Sequence, residues 1–419
     1  MELKSSVNET WKLFALGTLI GWLFVLHFLG NTNHNVSLFT ATKSFFAVMD
    51  PSNFSFSDGN KYPNKNKNKK CNMFDGKWVY KPEQFPSYDP LKCPFLEEKM
   101  SCQKNGRPNL AYERWFWEAT DCEIPLLNGT DMIERLRNKR VILVGDSLNR
   151  NMWESLACIL YTSIPASGAV VRDNSSVPVI TFTAKDYNMT VEFYWSPFLT
   201  EFDLNYKESG KKVLVLDRLS PNSVLWSDAD IMVFNSGHWW AQTGKYKRWD
   251  YLEYEGKLID DMALEKAYEL GMRTWQTWIE QNVDPIKTTV FFRSISMEHK
   301  THLHDQWCYN KTQPIMDESY KSSYPKPLVN VIENIIKGIR KPKVKYLNIT
   351  KLSQYRIDAH PSIYRFKDWR NLTRVYQDTL STRADCSHWC LPGVPDTWNR
   401  LLYISLFFNS SVVGDLTIL

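Results

Sequence analysis

Arg140-Val-Ile-Leu-Val-Gly-Asp-Ser-Leu-Asn-Arg150 predicts a buried strand that leads through a tight turn into a helix. Four apolar residues, three of them β-branched, precede the turn, and apolar residues recur at helical spacing from Leu148 to Leu160. Ser147 is thus expected at the carboxyl end of a strand and at a helix amino terminus. Open α/β sheets bind ligands at that edge, where free backbone N–H groups stabilise negative charge. Ser147 is therefore a candidate nucleophile, provided that a base reaches it.

A candidate base lies far downstream, in the segment Asp385-Cys-Ser-His-Trp-Cys390. Serine becomes a good nucleophile when an imidazole accepts its proton, and a carboxylate fixes the tautomer of that imidazole. Ser147, His388 and Asp385 supply these three roles. The sequence therefore predicts a Ser-His-Asp triad, although each motif alone is a modest signal.

The pattern beyond residue 130 predicts an α/β fold. Near-continuous apolar strands that alternate with helices are typical of a mostly parallel sheet covered on both faces. Strands are expected at 140–145, 230–235, 288–294 and 344–349, and helices at 148–160, about 256–282, 326–339 and 397–408. Residues 178–226 alternate apolar and polar side chains, which favours an antiparallel insertion.

Three longer motifs extend this picture to a family resemblance. They are Cys71-Asn-Met-Phe-Asp-Gly-Lys-Trp78, Asn235-Ser-Gly-His-Trp-Trp240 and Asp385-Cys-Ser-His-Trp-Cys-Leu-Pro-Gly-Val-Pro-Asp-Thr-Trp-Asn399. Together with Gly-Asp-Ser-Leu148, they resemble the plant trichome birefringence-like family across about residues 71–409. One departure is Ser296-Met-Glu-His299, where members often carry Ser-Pro-x-His.

The resemblance implies a three-layer αβα fold of the GDSL/SGNH-hydrolase type with a disulfide-stabilised N-terminal lobe. It also implies a Golgi O-acetyltransferase that acetylates a cell-wall polysaccharide, with xylan favoured. The expected mechanism is a double displacement through an acetyl-serine at Ser147. No bound cofactor is expected. The acetyl donor would be acetyl-CoA or an acetyl group relayed by a multi-pass membrane protein.

Further residues near the predicted edge are candidates for the oxyanion hole and for substrate binding. Gly145, Asp146 and Arg150 flank the nucleophile, although Asp146 is also suited to holding the turn and Arg150 to pairing with a carboxylate. An oxyanion hole needs N–H donors, which the Ser147 backbone could supply. After the strand at 230–235, the candidates are Asn235, Gly237, His238, Trp239 and Trp240. His238 could alternatively be the base or a core residue, and tryptophans either stack on sugar rings or belong to the core.

All eight cysteines lie beyond residue 70, and an even number favours disulfides in an oxidising compartment. Eight cysteines allow 105 pairings, among which the sequence alone does not choose. The family resemblance implies the pairs Cys71–Cys122, Cys93–Cys158, Cys102–Cys390 and Cys308–Cys386. The last two would hold the segment around His388 from both sides.

The N-terminal 70 residues predict a membrane anchor and a stem. Residues 13–30 contain no Asp, Glu, Lys or Arg and are just long enough to span a bilayer, and basic residues precede them. We expect a cytoplasmic tail at 1–12, an uncleaved anchor at 13–30 and a disordered stem at 31–70, followed by a catalytic region at 71–419. The chain would then be a single-pass type II Golgi membrane protein with a lumenal catalytic region.

Nine Asn-x-Ser/Thr sequons follow the apolar run at 13–30 and support a lumenal location for this part of the chain, because glycosylation occurs there. They begin at Asn35, Asn53, Asn128, Asn174, Asn188, Asn310, Asn348, Asn371 and Asn409.

Composition argues against a nucleic-acid partner. The formal net charge is +5, but residues 61–70 alone contain five lysines and no acidic residue, so the rest of the chain is nearly neutral. Nucleic-acid binding would require a basic face on the folded part.

Three alternatives to an acetyltransferase stay open at this stage. A carbohydrate acetylesterase would use the same triad, with water as the acceptor. A zinc enzyme could draw ligands from His299, His302, His304, Cys308, Cys386, His388 and Cys390, although their spacing matches no common zinc motif, and no metal is expected. A non-catalytic protein that binds wall polysaccharide would retain the aromatic surface without activity.

Overall fold

A computed structural model describes residues 71–174, 179–242, 244–300, 307–317, 319–320, 325–371 and 383–408. The strands of these residues are β1 Gly76–Tyr80, β2 Trp115–Ala119, β3 Arg140–Gly145, β4 Ala169–Asn174, β5 Val179–Ala184, β6 Met189–Trp195, β7 Thr200–Asp203, β8 Val213–Leu219, β9 Ile231–Phe234, β10 Tyr251–Tyr254, β11 Lys257–Ile259, β12 Thr289–Arg293 and β13 Val344–Leu347. The α-helices are α1 Gly129–Arg135, α2 Ser147–Thr162, α3 Leu264–Asn282, α4 Lys326–Gly338, α5 Thr350–Gln354 and α6 Val394–Phe407.

The largest sheet is mixed and has the strand order β13-β12-β9-β3-β6-β5-β4. Its first five strands run parallel, with β3 between β9 and β6. The strands β5 and β4 extend the sheet by antiparallel pairing. Because β9, β3 and β6 are parallel neighbours, the loops that follow them meet at one edge of the sheet.

Side chains of β3 alternate between two hydrophobic cores, as the two-residue period of a strand requires. Val141 and Leu143 belong to the core that contains α2 and α6. Ile142 and Val144 belong to the opposite core, which contains α3 and α4. Helices therefore cover both faces of the main sheet, and this α/β arrangement explains why β3 carries no polar side chain between Arg140 and Gly145.

The region before β9 forms more than the single antiparallel insertion that we expected at 178–226. The strands β7 and β8 are not part of the main sheet. With β10 and β11 they form a second, four-stranded sheet of order β11-β10-β8-β7. The helix expected from about 256 begins only at Leu264, because Glu255 and Gly256 form a left-handed turn between β10 and β11. β10 and β11 have only four and three residues, which are too few to show the two-residue alternation of a strand in the sequence.

The N-terminal lobe, residues 71–130, packs on the main core rather than forming a core of its own. Trp78 of β1 and Trp117 of β2 lie in the same hydrophobic cluster as Trp398 of α6. The indole N–H of Trp78 donates to the carbonyl of Leu352 at 2.7 Å. The lobe is therefore continuous with the α/β domain.

Four disulfides join the cysteines in the pairs that the resemblance implied. They are Cys71–Cys122, Cys93–Cys158, Cys102–Cys390 and Cys308–Cys386. The second links the N-terminal lobe to α2, and the third links it to the segment around His388. Two distant parts of the chain are thereby tied to the edge where β3 ends.

The expected tail, anchor and stem lie outside the described residues, and so do the sequons at Asn35, Asn53 and Asn409. Within the described ranges, no helix has the length and apolarity needed to cross a bilayer.

Candidate active site

The turn that carries the candidate nucleophile, Gly145-Asp146-Ser147, joins β3 to α2. Hydrogen bonds between Asp146 and Asn235 hold this turn in place. Asp146 caps α2, because its carboxylate accepts the N–H of Leu148 at 2.9 Å. The same carboxylate accepts a hydrogen bond from Asn235 Nδ2 at 2.9 Å, and Asn235 Oδ1 accepts the N–H of Asp146 at 3.2 Å. Gly145 permits this approach, since a Cβ there would lie 1.8 Å from Asn235 Oδ1. Ser147 is thus fixed as the first residue of the helix.

Ser147, His388 and Asp385 lie within hydrogen-bonding distance of one another. Ser147 Oγ is 2.7 Å from His388 Nε2. His388 Nδ1 is 2.8 Å from Asp385 Oδ2, and Asp385 Oδ1 accepts the backbone N–H groups of Ser387 and His388, each at 3.1 Å. The carboxylate therefore orients the imidazole so that its other nitrogen faces the hydroxyl.

Asp385 is held in its ionised form. Burial by itself would raise the pKa of this carboxyl, but the charge and hydrogen bonds of His388, followed by the charge of Arg365, hold it well below its usual value. The Arg365 guanidinium lies 3.6 Å from Asp385 Oδ2. A buried carboxylate with these partners stabilises an imidazolium when His388 accepts a proton.

The base loop, Asp385–Cys390, is anchored at both ends. Cys386 is bonded to Cys308 and Cys390 to Cys102. The buried Trp389 closes the loop against α2, because its N–H donates to Asn151 Oδ1 at 2.8 Å and its carbonyl accepts from Asn151 Nδ2 at 3.2 Å. The helix that carries the nucleophile thereby also sets the position of the base.

Three of the residues proposed for the oxyanion hole or for substrate binding have structural roles instead. The side chain of Asn235 is committed to Asp146 and holds the turn. Trp240 is fully buried, with its N–H on Ser236 Oγ, so it has no exposed face for a sugar. Arg150 pairs with Glu154 at 3.0 Å and with Glu97 at 3.4 Å. Pairing of Arg150 with a carboxylate was one of the two roles that the sequence offered, and Glu154 lies one turn further along the same helix.

Other predicted residues remain at the edge of the sheet. Gly237 has φ +144°, and a Cβ there would come within 2.6 Å of Ile295, so a larger residue would displace the loop after β9. His238 Nδ1 is 3.1 Å from Glu298 Oε1, and Trp239 is half-buried. The N–H groups of Ser147 and Gly237 donate to no other residue in the described part of the chain.

Glu298, Trp195 and Arg365 also lie at the site, although no sequence motif singled them out. Glu298 accepts hydrogen bonds from His238 and from Ser387 Oγ, at 3.0 Å, and so connects the loop after β9 to the base loop. Burial opposes its charge, but His238 and then Lys300 hold its pKa well below the usual value. The departure from Ser-Pro-x-His at 296–299 was the one available signal. Trp195, which ends β6, packs edge-on against Trp239 with 5.4 Å between ring centroids.

The set of residues considered for zinc is used in other ways. Cys308, Cys386 and Cys390 are in disulfides and supply no thiolate, and His388 faces Ser147 and Asp385. His302 and His304 lie outside the described residues. Among the described residues, no cluster of His, Cys, Asp and Glu side chains is suited to a metal ion.

Family models match almost the whole of the described chain. The GDSL/SGNH-like acyl-esterase family found in Pmr5 and Cas1p matches residues 124–405, and the PMR5 N-terminal domain matches residues 69–123. The boundary between the two matches separates the disulfide-held lobe from the α/β core.

Relatives in Arabidopsis thaliana are about 40% identical to this chain over the regions that align. Protein trichome birefringence is 40% identical over 350 residues, which cover 81% of this chain and 56% of that protein. Protein trichome birefringence-like 1 is 39% identical, with 83% of this chain and 63% of that protein covered. Protein trichome birefringence-like 40 is 39% identical over 343 residues, with 80% and 88% covered. The chain therefore spans less than two thirds of the first two relatives and most of the third.

Proposed function

Because the chain belongs to the GDSL/SGNH-like acyl-esterase family, and within it to the trichome birefringence-like proteins, we propose that it is an O-acetyltransferase that acetylates hydroxyl groups of a plant cell-wall polysaccharide. One observation carries the proposal: Ser147 Oγ lies 2.7 Å from His388 Nε2, and His388 Nδ1 lies 2.8 Å from Asp385. This arrangement activates a serine for acyl transfer.

In the first half-reaction, His388 removes the proton of Ser147 as Oγ attacks the carbonyl carbon of the acetyl donor. The bond between the acetyl group and its carrier then breaks, and the carrier leaves with the proton from His388. The product is an acetyl ester on Ser147. Ionised Asp385 stabilises the imidazolium that exists between these two proton transfers.

The carbonyl oxygen becomes negatively charged as the tetrahedral intermediate forms. We assign its stabilisation to the N–H groups of Ser147 and Gly237, which have no other partner in the described part of the chain and which follow adjacent parallel strands. Removing one such donor typically costs about 2.7–4 kcal/mol of transition-state stabilisation. Gly145, Asp146 and Asn235 serve this site indirectly by holding the turn.

In the second half-reaction, a sugar hydroxyl gives its proton to His388 and attacks the acetyl-serine. The ester to Ser147 breaks, the proton returns to Ser147 Oγ, and the acetylated sugar leaves. The same enzyme becomes an acetylesterase when water takes the place of the sugar. The name of the family model favours this second candidate, so the two must be separated by experiment.

We assign acceptor binding to the loops that follow β6 and β9. Trp195 and Trp239 are both half-buried; Trp195 ends β6, and Trp239 lies in the loop that follows β9. Exposed faces of indole rings stack on sugars. The exposed Arg248 already lies over Trp239, with its guanidinium 4.7 Å from the ring centroid, so a sugar would take the remaining exposed surface.

His238 is the polar group that we assign to the acceptor. Glu298 accepts a hydrogen bond from Nδ1, which leaves the lone pair of Nε2 free to accept another. Nε2 is buried and has no partner among the described residues. A buried acceptor without a partner is costly, so a shift of the loop after β9 that lets a sugar hydroxyl donate to Nε2 would remove that cost.

We also propose a location for the protein in the cell, an acceptor and a source of the acetyl group. We place the protein in the Golgi membrane, held by residues 13–30 with residues 71–419 in the lumen and with N-glycans on exposed sequons. Four disulfides are consistent with an oxidising compartment. Xylan is the favoured acceptor, and acetyl-CoA or a multi-pass acetyl transporter is the favoured source of the acetyl group.

A panel of acceptors tests the proposed function. The full-length protein is incubated with an acetyl donor and with deacetylated oligosaccharides of xylan, mannan, xyloglucan and pectin, and mass spectrometry then identifies acetylated products. We expect acetyl transfer to one class, with xylan favoured, and none with Ser147→Ala. Release of free acetate that no acceptor suppresses would contradict the transferase and favour the esterase.

A further inference from the structure

Two buried histidines form a chain of close polar contacts behind the base loop. His299 Nε2 is 2.8 Å from the carbonyl oxygen of Gln354. His299 Nδ1 is 2.6 Å from His360 Nε2, and His360 Nδ1 is 2.6 Å from the carbonyl oxygen of His388. Each histidine is only 1% exposed. All four ring nitrogens therefore have a partner. The series of contacts ends at the backbone carbonyl of His388, the proposed base.

The number of protons on the two histidine rings follows from the carbonyl oxygens that they contact. A backbone carbonyl oxygen only accepts, so His299 Nε2 and His360 Nδ1 must each carry a proton. A neutral imidazole has one N–H, and these two outer bonds use both. The two inner nitrogens would then face each other with lone pairs at 2.6 Å, which is a hydrogen-bonding distance that two lone pairs do not tolerate. A third proton between them removes the conflict.

We propose that His299 and His360 share one additional proton between Nδ1 and Nε2, and that this singly charged pair positions the base loop by holding the carbonyl of His388. The positioning role rests on the proposed function of His388, whereas the shared proton does not. Both histidines act through the loop and touch neither Ser147 nor the acceptor site.

Charged groups from every neighbouring element act on the pair. Glu298, Asp358 and Asp385 favour a positive charge there. Arg107 opposes it, because its guanidinium donates to the carbonyl of His360 at 2.8 Å, and so does Arg356, which is paired with Asp358 at 2.9 Å. The indole of Trp389 stacks on His360, with 4.1 Å between centroids and 20° between planes, which favours a cationic ring.

Burial acts against the extra proton. It lowers the pKa of His299 to about 4, and burial followed by the proximity of His299 lowers the pKa of His360 well below its usual value. The inner hydrogen bond acts in the opposite direction, since only the protonated pair can form it while keeping both outer hydrogen bonds. When the proton leaves, two N–H groups remain for three contacts, so the bond to Gln354, the bond between the rings or the bond to His388 is lost.

Loss of the donor to His388 would loosen the loop beside the nucleophile. Trp389, which follows His388, both stacks on His360 and exchanges hydrogen bonds with Asn151 of α2. A displaced base costs catalysis steeply, because proton transfer requires a hydrogen bond of about 2.6–3.2 Å.

The shared proton is tested by NMR of the full-length protein labelled with ¹⁵N at its histidine rings, titrated across the pH range in which it stays folded. We expect three protonated nitrogens among the four of His299 and His360, with one proton coupled to a nitrogen of each ring. Two neutral imidazoles with one N–H each at every such pH would overturn the proposal. This result does not depend on activity, so it separates failure of the pair from failure of the proposed function.

Two variants test the positioning role. His360→Phe keeps a ring against Trp389 but removes the hydrogen bond to His388, and kcat should fall roughly 10- to 100-fold with the acceptor KM unchanged. His299→Gln abolishes the shared-proton signal but supplies an uncharged amide N–H to His360 Nε2, so kcat should fall less than in His360→Phe. A His360→Phe protein with the parent's kcat and pH profile would contradict the role.

Discussion

Ser147 depends at the residue scale on groups that do not touch it. Asp146 and Asn235 set the turn, Asp385 sets the tautomer of His388, and Arg365 supports the charge of Asp385. The juxtaposition of Ser147, His388 and Asp385 could be predicted from sequence, because these residues occur in short motifs beside a strand end and between cysteines. Their supporting residues could not, since Arg365, Glu298 and His360 reach the site only through the tertiary fold.

Glu154 gives a residue-scale prediction about stability and pH. It is fully buried in α2, and burial followed by the nearby charge of Glu97 raises its pKa to about 7. Between about 4.5 and 7, the folded protein holds a proton that the unfolded chain has released. Raising the pH through this window therefore favours unfolding, by up to about 3 kcal/mol for this carboxyl.

Glu154→Gln should reduce the fall in Tm between pH 5 and pH 7.5, measured by thermal unfolding. The fall should not vanish, because Asp396 is half-buried and desolvation likewise raises its pKa to about 7. Glu134→Gln, on the exposed side of α1, is the matched control and should keep the parent's pH dependence. Equal pH dependence in the Glu154→Gln variant and the parent would show that Glu154 is ionised in the folded protein.

At the element scale, the strand-turn-helix unit was predictable because its strand is uniformly apolar and its helix has a clear period. The second sheet was not, since β10 and β11 contain only four and three residues. The base loop is an intermediate case. The sequence motif of the base loop could be recognised. The position of His388, however, is set by two disulfides and by the hydrogen bond of Trp389 to Asn151 of α2.

The disulfide beside the base should affect catalysis more than a disulfide elsewhere. Cys308–Cys386 closes 78 residues of sequence and Cys71–Cys122 closes 51, so their expected contributions through loop entropy differ by only about 0.4 kcal/mol. Cys308→Ala/Cys386→Ala should therefore lose stability similarly to Cys71→Ala/Cys122→Ala. Only the Cys308→Ala/Cys386→Ala variant frees the base loop. The kcat of this variant at 25 °C should therefore fall by roughly tenfold or more.

Parallel measurements of Tm and kcat on the two double variants separate these effects. A similar loss of Tm with unequal loss of kcat supports the positioning role of the base loop. Equal kcat in both would mean that the loop keeps its shape without Cys308–Cys386.

At the scale of the whole molecule, the two ends of the folded region are brought together at one edge of the sheet. Residues 147 and 388 meet because Asn151 of α2 holds Trp389 and because Cys102–Cys390 ties the base loop to the N-terminal lobe. Sequence could pair Ser147 with His388 through their chemistry, but not through the rule that parallel strands end together, because the base loop does not directly follow a described strand of that sheet. It could not predict which loop would carry the acceptor surface, because Trp195 and Trp239 become neighbours only through strand order.

The central claim is that Ser147 carries the acetyl group between donor and acceptor. The most direct measurement is peptide mass spectrometry of the full-length protein after brief incubation with an activated acetyl ester, without acceptor. The account predicts one acetyl group on the peptide that contains Ser147, lost when a competent oligosaccharide is added and absent in Ser147→Ala. Labelling should be slower by several powers of ten in Asp385→Asn, in which the tautomer of His388 is wrong. Acetyl transfer by Ser147→Ala at the parent's rate, or a label that turns over on another residue, would contradict it.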